Sequence, residues 1–387
     1  MATYITERSF IHDPNIHVPM IHPPGAVASA FIWSVTILFA VAGLFWLFET
    51  LVLARYRDDR ETAYGPEDVQ VRILTIGAED VVQQTVDSLP ASITDRHVIA
   101  EKPIAIDGAE VHVVPESFSC EAVRKGRAIE WARQTLSCDR EYVLYLDEDS
   151  IVEEFDGLPD ADIVQFSERP RYTGSWLAYF ADVFRMGAQI EQHAFHRFRI
   201  PLFAWGGGIA VRKSLEDRVT WDWPTLVEDT AFLWRAAESE SVSYALDSAS
   251  FSNQAPPSLG EIFQQRRRWA AGNHQEASNL PLRYKLLAKG RSYVWAIAPI
   301  MPLITVGVTL SGLQLFCSGL LQALSISLAL LMVAWFALGL FQYDRLSLRS
   351  LPMFALVPLA VLVHSVGATA GLIAPPDDFH VTEKTTD

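Results

Sequence analysis

Tyr142-Val143-Leu144-Tyr145-Leu146-Asp147-Glu148-Asp149-Ser150 is the stretch from which the rest of the chain is read. A short uncharged run meets a carboxylate cluster, the pattern of a buried strand ending in a loop. Residues at i and i+2 of an extended chain point the same way. The strand therefore delivers Asp147 and Asp149 together at its C-terminal end, where they could share one metal ion or one ligand, while Glu148 faces away. Oxygen-only ligands suit Mg²⁺ or Mn²⁺. Taken alone, the same three acids also fit an ordinary acidic turn.

Working outward, Val69 to Ile76 alternates and then turns apolar, as a strand entering a sheet does, and Gly77 to Asp80 follows as a turn. Val81 to Leu89 has helical spacing, Arg96 to Ala100 and Val111 to Val114 read as strands, and Cys120 to Leu136 reads as a helix. Downstream, Ala161 to Phe166 is a further strand and Ser175 to His196 a long helical pattern. Gly206-Gly207-Gly208 leads into a short strand, Ile209 to Arg212. Helices are expected over Ala231 to Ala237 and Leu259 to Ala271, the latter amphipathic. Strands alternating with helices predict a mostly parallel α/β sheet, whose ligands gather at the strand C-termini. Glu79, Glu101 and the 147–149 cluster all stand at such ends.

Hydropathy places this polar region between membrane segments. Ala26 to Phe48 carries no charge and is long enough to span a bilayer. Ser292 to Tyr343 lacks Asp, Glu, Lys and Arg and has room for two spans with a turn near Ser318-Gly319; Leu351 to Ala374 is one more. Four transmembrane helices are expected. The first starts too far from Met1, and lacks the basic flank, to be a signal peptide. Arg55, Arg57 and Arg60 follow it, Lys285, Lys289 and Arg291 precede the second, and Arg345 and Arg349 separate the third and fourth. The positive-inside rule then predicts a multi-pass cell-membrane protein with a cytoplasmic central domain and both termini extracytoplasmic.

The net charge is −15, with 6 Lys against 25 Arg. That balance argues against a nucleic-acid partner and fits a protein from a high-salt, halophilic cytoplasm. Cys120, Cys138 and Cys317 have no metal-ligand spacing and read as structural thiols. The His- and Pro-containing segment before the first span reads as an irregular arm.

Three motifs follow in order: Asp147-x-Asp149, Glu228-Asp229, and Gln265-Arg266-Arg267-Arg268-Trp269, the last shortly before a membrane span. This order resembles the D-x-D, E-D and Q-x-x-R-W of the membrane-embedded family 2 glycosyltransferases, the group of cellulose, chitin and hyaluronan synthases. It is most similar to the egghead-type β-1,4-mannosyltransferase branch. The resemblance covers residues 69 to 275 and the flanking helices, and Q-x-x-R-W is its most specific part. It implies a GT-A-like α/β domain, a UDP- or GDP-sugar donor, an Mg²⁺ or Mn²⁺ cofactor and an inverting transfer to a β-linked product.

Residue by residue, the resemblance implies that Asp149 holds the metal, with Asp147 on the metal or the ribose. Asp229 would be the base on the acceptor hydroxyl, and Glu228 an acceptor-binding neighbour; both acids also suit a helix start. Gln265, Arg268 and Trp269 would close over the diphosphate and the acceptor sugar, since a guanidinium fork suits phosphate oxygens. Arg266 and Arg267 read as interfacial arginines facing lipid headgroups. Thr75, Glu79, Glu101 and Lys125 would serve the donor, although Ile76-Gly77-Ala78-Glu79 departs from the usual P-x-x-N-E of the family. Gly206, Gly207 and Gly208 would let backbone approach the acceptor sugar.

The organisation that follows is an N-terminal segment (1–25), a first span (26–54), the GT-A domain (55–258), an interfacial helix and connector (259–291), three spans (292–374) and a polar tail (375–387). The expected partners are the nucleotide sugar, a lipid-linked or saccharide acceptor, and membrane lipids. A processive polysaccharide synthase and a non-catalytic nucleotide-sugar-binding scaffold remain as alternatives. A coupled transporter is disfavoured, because the uncharged stretches 26–48, 292–343 and 351–374 hold no acidic or basic residue beyond His364.

Overall fold

The uncharged runs become the strands of one sheet. The computed structural model describes residues 23–55, 60–313, 315–344, 348–376, 382 and 384. Ten strands occur in chain order: β1 (Thr62–Tyr64), β2 (Val69–Thr75), β3 (Asp95–Ala100), β4 (Glu110–Val113), β5 (Tyr142–Asp147), β6 (Ile151–Val152), β7 (Leu158–Pro159), β8 (Ile163–Arg171), β9 (Gly208–Arg212) and β10 (Tyr244–Gln254). Eight form a sheet ordered β4-β3-β2-β5-β9-β8-β10-β6, and β1 pairs with β7 as a separate ribbon. The sheet is parallel from β4 to β5, then β9 runs antiparallel to both its neighbours. Every residue of β2 is buried, as expected of a strand covered on both faces. β3 lies on one side of β2 and β5 on the other. This is the switch point where an α/β sheet opens a crevice, and the register sets Leu74 beside Asp147 there.

Eleven helices accompany the strands among the described residues: α1 (Pro23–Phe48), α2 (Glu79–Ser88), α3 (Lys125–Thr135), α4 (Trp176–Gln189), α5 (Lys213–Val219), α6 (Glu228–Ser239), α7 (Leu259–Glu276), α8 (Leu282–Ile297), α9 (Met301–Leu310), α10 (Ser318–Gly339) and α11 (Val357–Ile373). Ser175 caps α4 by accepting from the Ala178 N–H, and Ser258 caps α7 through Glu261 N–H. The helical pattern of 175–196 divides at Gln189, where the chain tightens to a 3₁₀ turn.

Four helical segments are long and apolar enough to cross a membrane: 25–53, 282–310, 318–342 and 351–373. Two boundaries differ from expectation. The second segment begins at Leu282, so Lys285, Lys289 and Arg291 lie on the helix itself and not in a connector. The turn before α10 lies between Ser311 and Cys317, where Gly312 adopts φ +79°. The N-terminal arm before Pro23, Arg57 and Arg345 lie outside the described residues.

Glycines dock these helices onto the α/β domain. A Cβ on Gly187 of α4 would collide with the Trp335 carbonyl of α10, and one on Gly339 of α10 with the Val183 carbonyl of α4. Gly367 and Gly371 of α11 lie against the backbone of α7 at Phe263 and Arg267 in the same manner. Small residues permit such backbone approach, which supplies packing that lipid-like surroundings do not drive by hydrophobicity. Trp46 Nε1 of α1 donates to the Ala188 carbonyl at 2.6 Å, tying the first helix to the same point.

The last helix, α11, packs against both the helical bundle and the α/β domain. Ile32, Met301, Leu315 and Leu321 cluster where α1, α9 and α10 meet. α11 packs on α7, α8 and α4, and its Val357 and Val361 join a cluster with Phe39 and Trp46 of α1 and Trp335 of α10. It ends with the Ala374 carbonyl accepting from Arg267 Nε at 2.9 Å. Beyond it, Lys384 Nζ lies 2.8 Å from Asp149 Oδ1. Lys384 thus stands beside the α/β domain. The close approach of α11 to α7 at Gly367 and Gly371 is invisible to a hydropathy window.

Candidate functional site

At the switch point a cavity of about 700 Å³ opens over the ends of β2 and β5. Thr75, Glu101, Lys125, Asp147, Gly206, Gly207, Glu228, Asp229, Gln265, Arg268 and Trp269 all line it. Elements and loops distant in sequence are therefore brought to one space, as the three motifs required.

The centre is a lysine among acids. Lys125 is the first residue of α3, and its Nζ donates to Asp147 Oδ1 at 2.6 Å and to the Gly206 carbonyl at 3.0 Å. Glu228 Oε1 lies 3.4 Å from the same nitrogen. Burial opposes this charge, but Asp147, Glu228 and Asp229 together hold the ammonium charged well above the ordinary lysine range. Asp229, in the first turn of α6, accepts from the Thr230 N–H at 2.7 Å. Burial, reinforced by the Glu228 charge and opposed by Lys125, pushes its carboxyl up to about 7. A Cβ on Gly206 would sit 2.9 Å from both Asp229 Oδ2 and Lys125 Nζ. Glycine there leaves the gap between acid and cation open.

The two aspartates of the opening strand have different surroundings. Asp149 is buried; its Oδ2 accepts from the Gln254 N–H at 2.7 Å, and its Oδ1 faces the Lys384 ammonium. Asp147 and Glu148 line the cavity, whereas Asp149 stands just behind the lining, so an ion on Asp149 would take the place of the Lys384 ammonium. Glu148 does not face away. It is buried in the cavity wall, and Thr75 Oγ1 donates to its Oε2 at 2.6 Å. The chain turns sharply after Asp147, with Ser150 N–H donating to the Asp147 carbonyl, so strict strand alternation ends one residue early.

The remaining expected residues divide between the cavity and its surroundings. Glu101 meets Arg127 at 3.0 Å. Glu79 lies outside the cavity lining, at the start of α2, where its Oε2 accepts from Ala105 N–H at 3.3 Å. Gly208 is buried beneath Trp205 as the first residue of β9 and is also outside the lining. Arg268 donates to the Leu226 carbonyl at 3.4 Å, and its guanidinium stands near Glu228, Asp229 and Asp147. Trp269 is held between cations, with Arg266 4.4 Å and Arg185 5.0 Å from its ring centroid.

Arg266 corrects the expectation of a lipid-facing residue. It is buried, bonded to Asp182 and, at 2.6 Å, to Gln265 Oε1. Arg267 is half-buried and donates to the Ala374 carbonyl. Behind Trp269, Arg185 bridges Glu168 and Asp182, both at 3.0 Å. Sequence reasoning missed this network. Its signal was the Asp182–Arg185 pair, three residues apart inside an otherwise apolar helix. Also missed were Gln254, Thr382 and Lys384, and the charged end of the cavity at Glu191 and Arg291. The cavity reaches α8 there, and Trp295, His364 and Ala368 complete its wall.

Known proteins resemble this chain in sequence and in fold. The model of "Glycosyl transferase family group 2" matches residues 142–363. The β-1,4-mannosyltransferase egh of Drosophila melanogaster is 24% identical over 304 residues, 70% of this chain and 66% of the relative. The β-1,4-mannosyltransferase bre-3 of Caenorhabditis elegans is 24% identical over 237 residues, 54% of this chain and 49% of the relative. The chain thus spans less than two thirds of either relative. Among solved structures, a mannosyltransferase of Pyrobaculum calidifontis in complex with GDP-Man and Mn²⁺ superposes with a TM-score of 0.55 at 14% identity, covering 89% of this chain and 98% of that one. That likeness shows the GT-A-like α/β fold.

Proposed function

The chain belongs to the glycosyl transferase family group 2, and on that premise we propose that it transfers a hexose from a nucleoside diphosphate sugar, with inversion, to an acceptor held at the membrane. The observation that carries this reading is the Asp147–Lys125–Asp229 cluster, which sets a cation between a D-x-D acid and a carboxyl poised near neutrality.

Asp229 takes the proton of the acceptor hydroxyl, whose oxygen attacks the anomeric carbon as the bond to the diphosphate breaks. A carboxyl raised to about 7 is a stronger base than an ordinary aspartate and is still half ionised at neutral pH. Asp149, with Asp147, would hold Mg²⁺ or Mn²⁺, and such an ion would supply positive charge to the departing diphosphate. Arg268 supplies further positive charge to the diphosphate from its place near Asp147, and Lys125 keeps Asp229 ionisable. Trp269, pinned by Arg185 and Arg266, offers a flat face to a sugar ring. Thr75, Glu101 and Glu148 surround the base and ribose end.

The acceptor enters from the α8 end, where Arg291, Trp295 and His364 join the cavity to the apolar helices. That continuity favours a lipid-linked acceptor. The catalytic domain lies at the cytoplasmic face, in keeping with the basic residues beside α1 and on α8. α1, the α8–α9 segment and α10 cross the bilayer, and Lys384, beside the catalytic domain, is cytoplasmic. Mannose is the first donor sugar to test, because both curated relatives are β-1,4-mannosyltransferases.

The test is a donor screen with purified protein in Mn²⁺ and a membrane lipid extract, read by mass spectrometry. GDP-mannose is expected to give a lipid gaining one hexose. Release of nucleoside diphosphate from none of the GDP- or UDP-hexoses, in any extract, would remove the proposal.

A further inference from the structure

Away from the catalytic cavity, at the outer edge of the sheet, two histidines and a glutamate converge. The register of β3 and β4 pairs His97 with Glu110 and Ile99 with His112. Partners across a ladder share a face, and so do residues two apart on a strand. His97, Glu110 and His112 therefore stand on one face of the sheet. Their ligand atoms all lie within 4.8 Å of one another. His97 Nδ1 is 2.9 Å from His112 Nε2, and the Glu110 carboxylate is 3.9 Å from the first and 3.6 Å from the second.

We propose that His97, His112 and Glu110 form a binding site for a divalent transition-metal ion of the Zn²⁺ type, separate from the donor site.

The geometry needs little adjustment. Zn–N and Zn–O bonds of about 2.0–2.2 Å in a tetrahedral site separate ligand atoms by about 3.3–3.6 Å. The ring nitrogens, 2.9 Å apart, open by about half an ångström, and the Glu110 carboxylate, whose Oε2 faces His97 and Oε1 His112, turns to bring one oxygen to both. Glu110 is 70% exposed, free to swing, while the histidines are only 12% and 16% exposed and hold their places. Water fills the fourth position from the solvent side.

The outer atoms fix the rings for this purpose. Asp95 Oδ1 accepts from His97 Nε2 at 2.7 Å, which assigns the proton to Nε2 and turns the Nδ1 lone pair towards His112. Asp95 is itself anchored, accepting from Gln70 at 3.2 Å and from Arg140 at 3.3 Å. A carboxylate–histidine–metal arrangement of this kind raises ligand basicity and orientation together. Imidazole nitrogen suits Zn²⁺, whereas the all-oxygen donor site suits Mg²⁺ or Mn²⁺, so the two sites differ in selectivity.

Such an ion would clip the edge strand β4 to β3. From His97 the chain of β3 runs on to Ala100 and leaves the sheet at Glu101, which lines the catalytic cavity. The clip therefore steadies a strand that ends at the donor side of the cavity, without touching the reacting groups.

The test uses the full chain in detergent, stripped with chelator, and Zn²⁺ competed against a chromogenic chelator. Because the N-terminal arm also carries histidines, the readout is the difference between wild type and His97→Gln/His112→Gln. Wild type is expected to bind one more Zn²⁺ per chain than the double variant, and Co²⁺ in its place to give tetrahedral visible bands. Asp95→Asn is expected to weaken that site about 10- to 100-fold. Glu110 is exposed, so Glu110→Gln is expected to keep the fold by circular dichroism and to weaken the site as well, and Asp149→Asn to leave it unchanged. Equal Zn²⁺ binding by wild type, the double variant and Glu110→Gln would overturn the proposal. The readout is binding, so it stands or fails independently of any transferase activity.

Discussion

Replacing Lys125 with methionine keeps most of the length of the unbranched side chain and removes its charge. The structure gives the size of the effect on Asp229. Lys125 Nζ and Asp229 Oδ2 each lie 2.9 Å from the point where a Gly206 Cβ would stand. They are therefore no more than about twice that, about 5.8 Å, apart. At an effective dielectric constant of about 20, a unit pair at that distance interacts by about 3 kcal/mol, which corresponds to about two pH units on the titration of the acid. Asp229 already titrates near 7, so the variant should carry it to about pH 9. A base works only when ionised, so kcat/KM rises with pH through this value, and the rising limb moves up with it. At pH 7.5 the ionised fraction falls about 25-fold, and raising the pH to about 9.5 restores most of it. The assay is nucleoside diphosphate release across about pH 5.5–10 at fixed Mn²⁺. A uniformly lower profile whose limb stays at the wild-type pH would refute the coupling, and with it the assignment of Asp229 as the titrating base.

Gly206→Ala places a methyl group against both Asp229 and Lys125, and is expected to lower kcat about 10-fold or more with little change in the melting temperature, measured by turnover and thermal unfolding. Trp269→Ala should raise KM for the acceptor more than for the donor, because the flat face offered to the acceptor sugar is lost; equal effects on both would count against the assignment. For Asp229, a folded-state pKa above the unfolded value means that ionisation destabilises the fold as pH rises from the ordinary 3.8 through about 7. Asp229→Asn is accordingly expected to raise the melting temperature at about pH 8 and to have no such advantage at about pH 4.

The parts of the site that follow from local pattern were legible in the sequence. The uncharged run Tyr142–Leu146 could only be a covered strand, and the acids after it had to emerge at its end. Glu228-Asp229 opened a helix, as acids at a helix start do, and Q-x-x-R-W lay on an amphipathic helix with its Ser258 cap. What escaped depends on tertiary approach. Glu148 was assigned to the far face by strand alternation, but the turn after Asp147 brings it under Thr75. Arg266 looked interfacial because its partner, Asp182, lies 84 residues earlier in the chain. α11 approaches the α7 backbone closely at Gly367 and Gly371, and hydropathy does not register contact. Lys384 lies beside Asp149, and its polar, short segment gave no sign of a role.

The most direct test of the account compares Mn²⁺-dependent turnover of GDP-mannose by the purified chain with that of Asp229→Asn. Loss of a general base costs about 10²–10⁴-fold in rate. The account predicts a fall of that size in kcat, with donor binding retained because Asp147, Asp149 and Arg268 are untouched. Full activity in Asp229→Asn would contradict it.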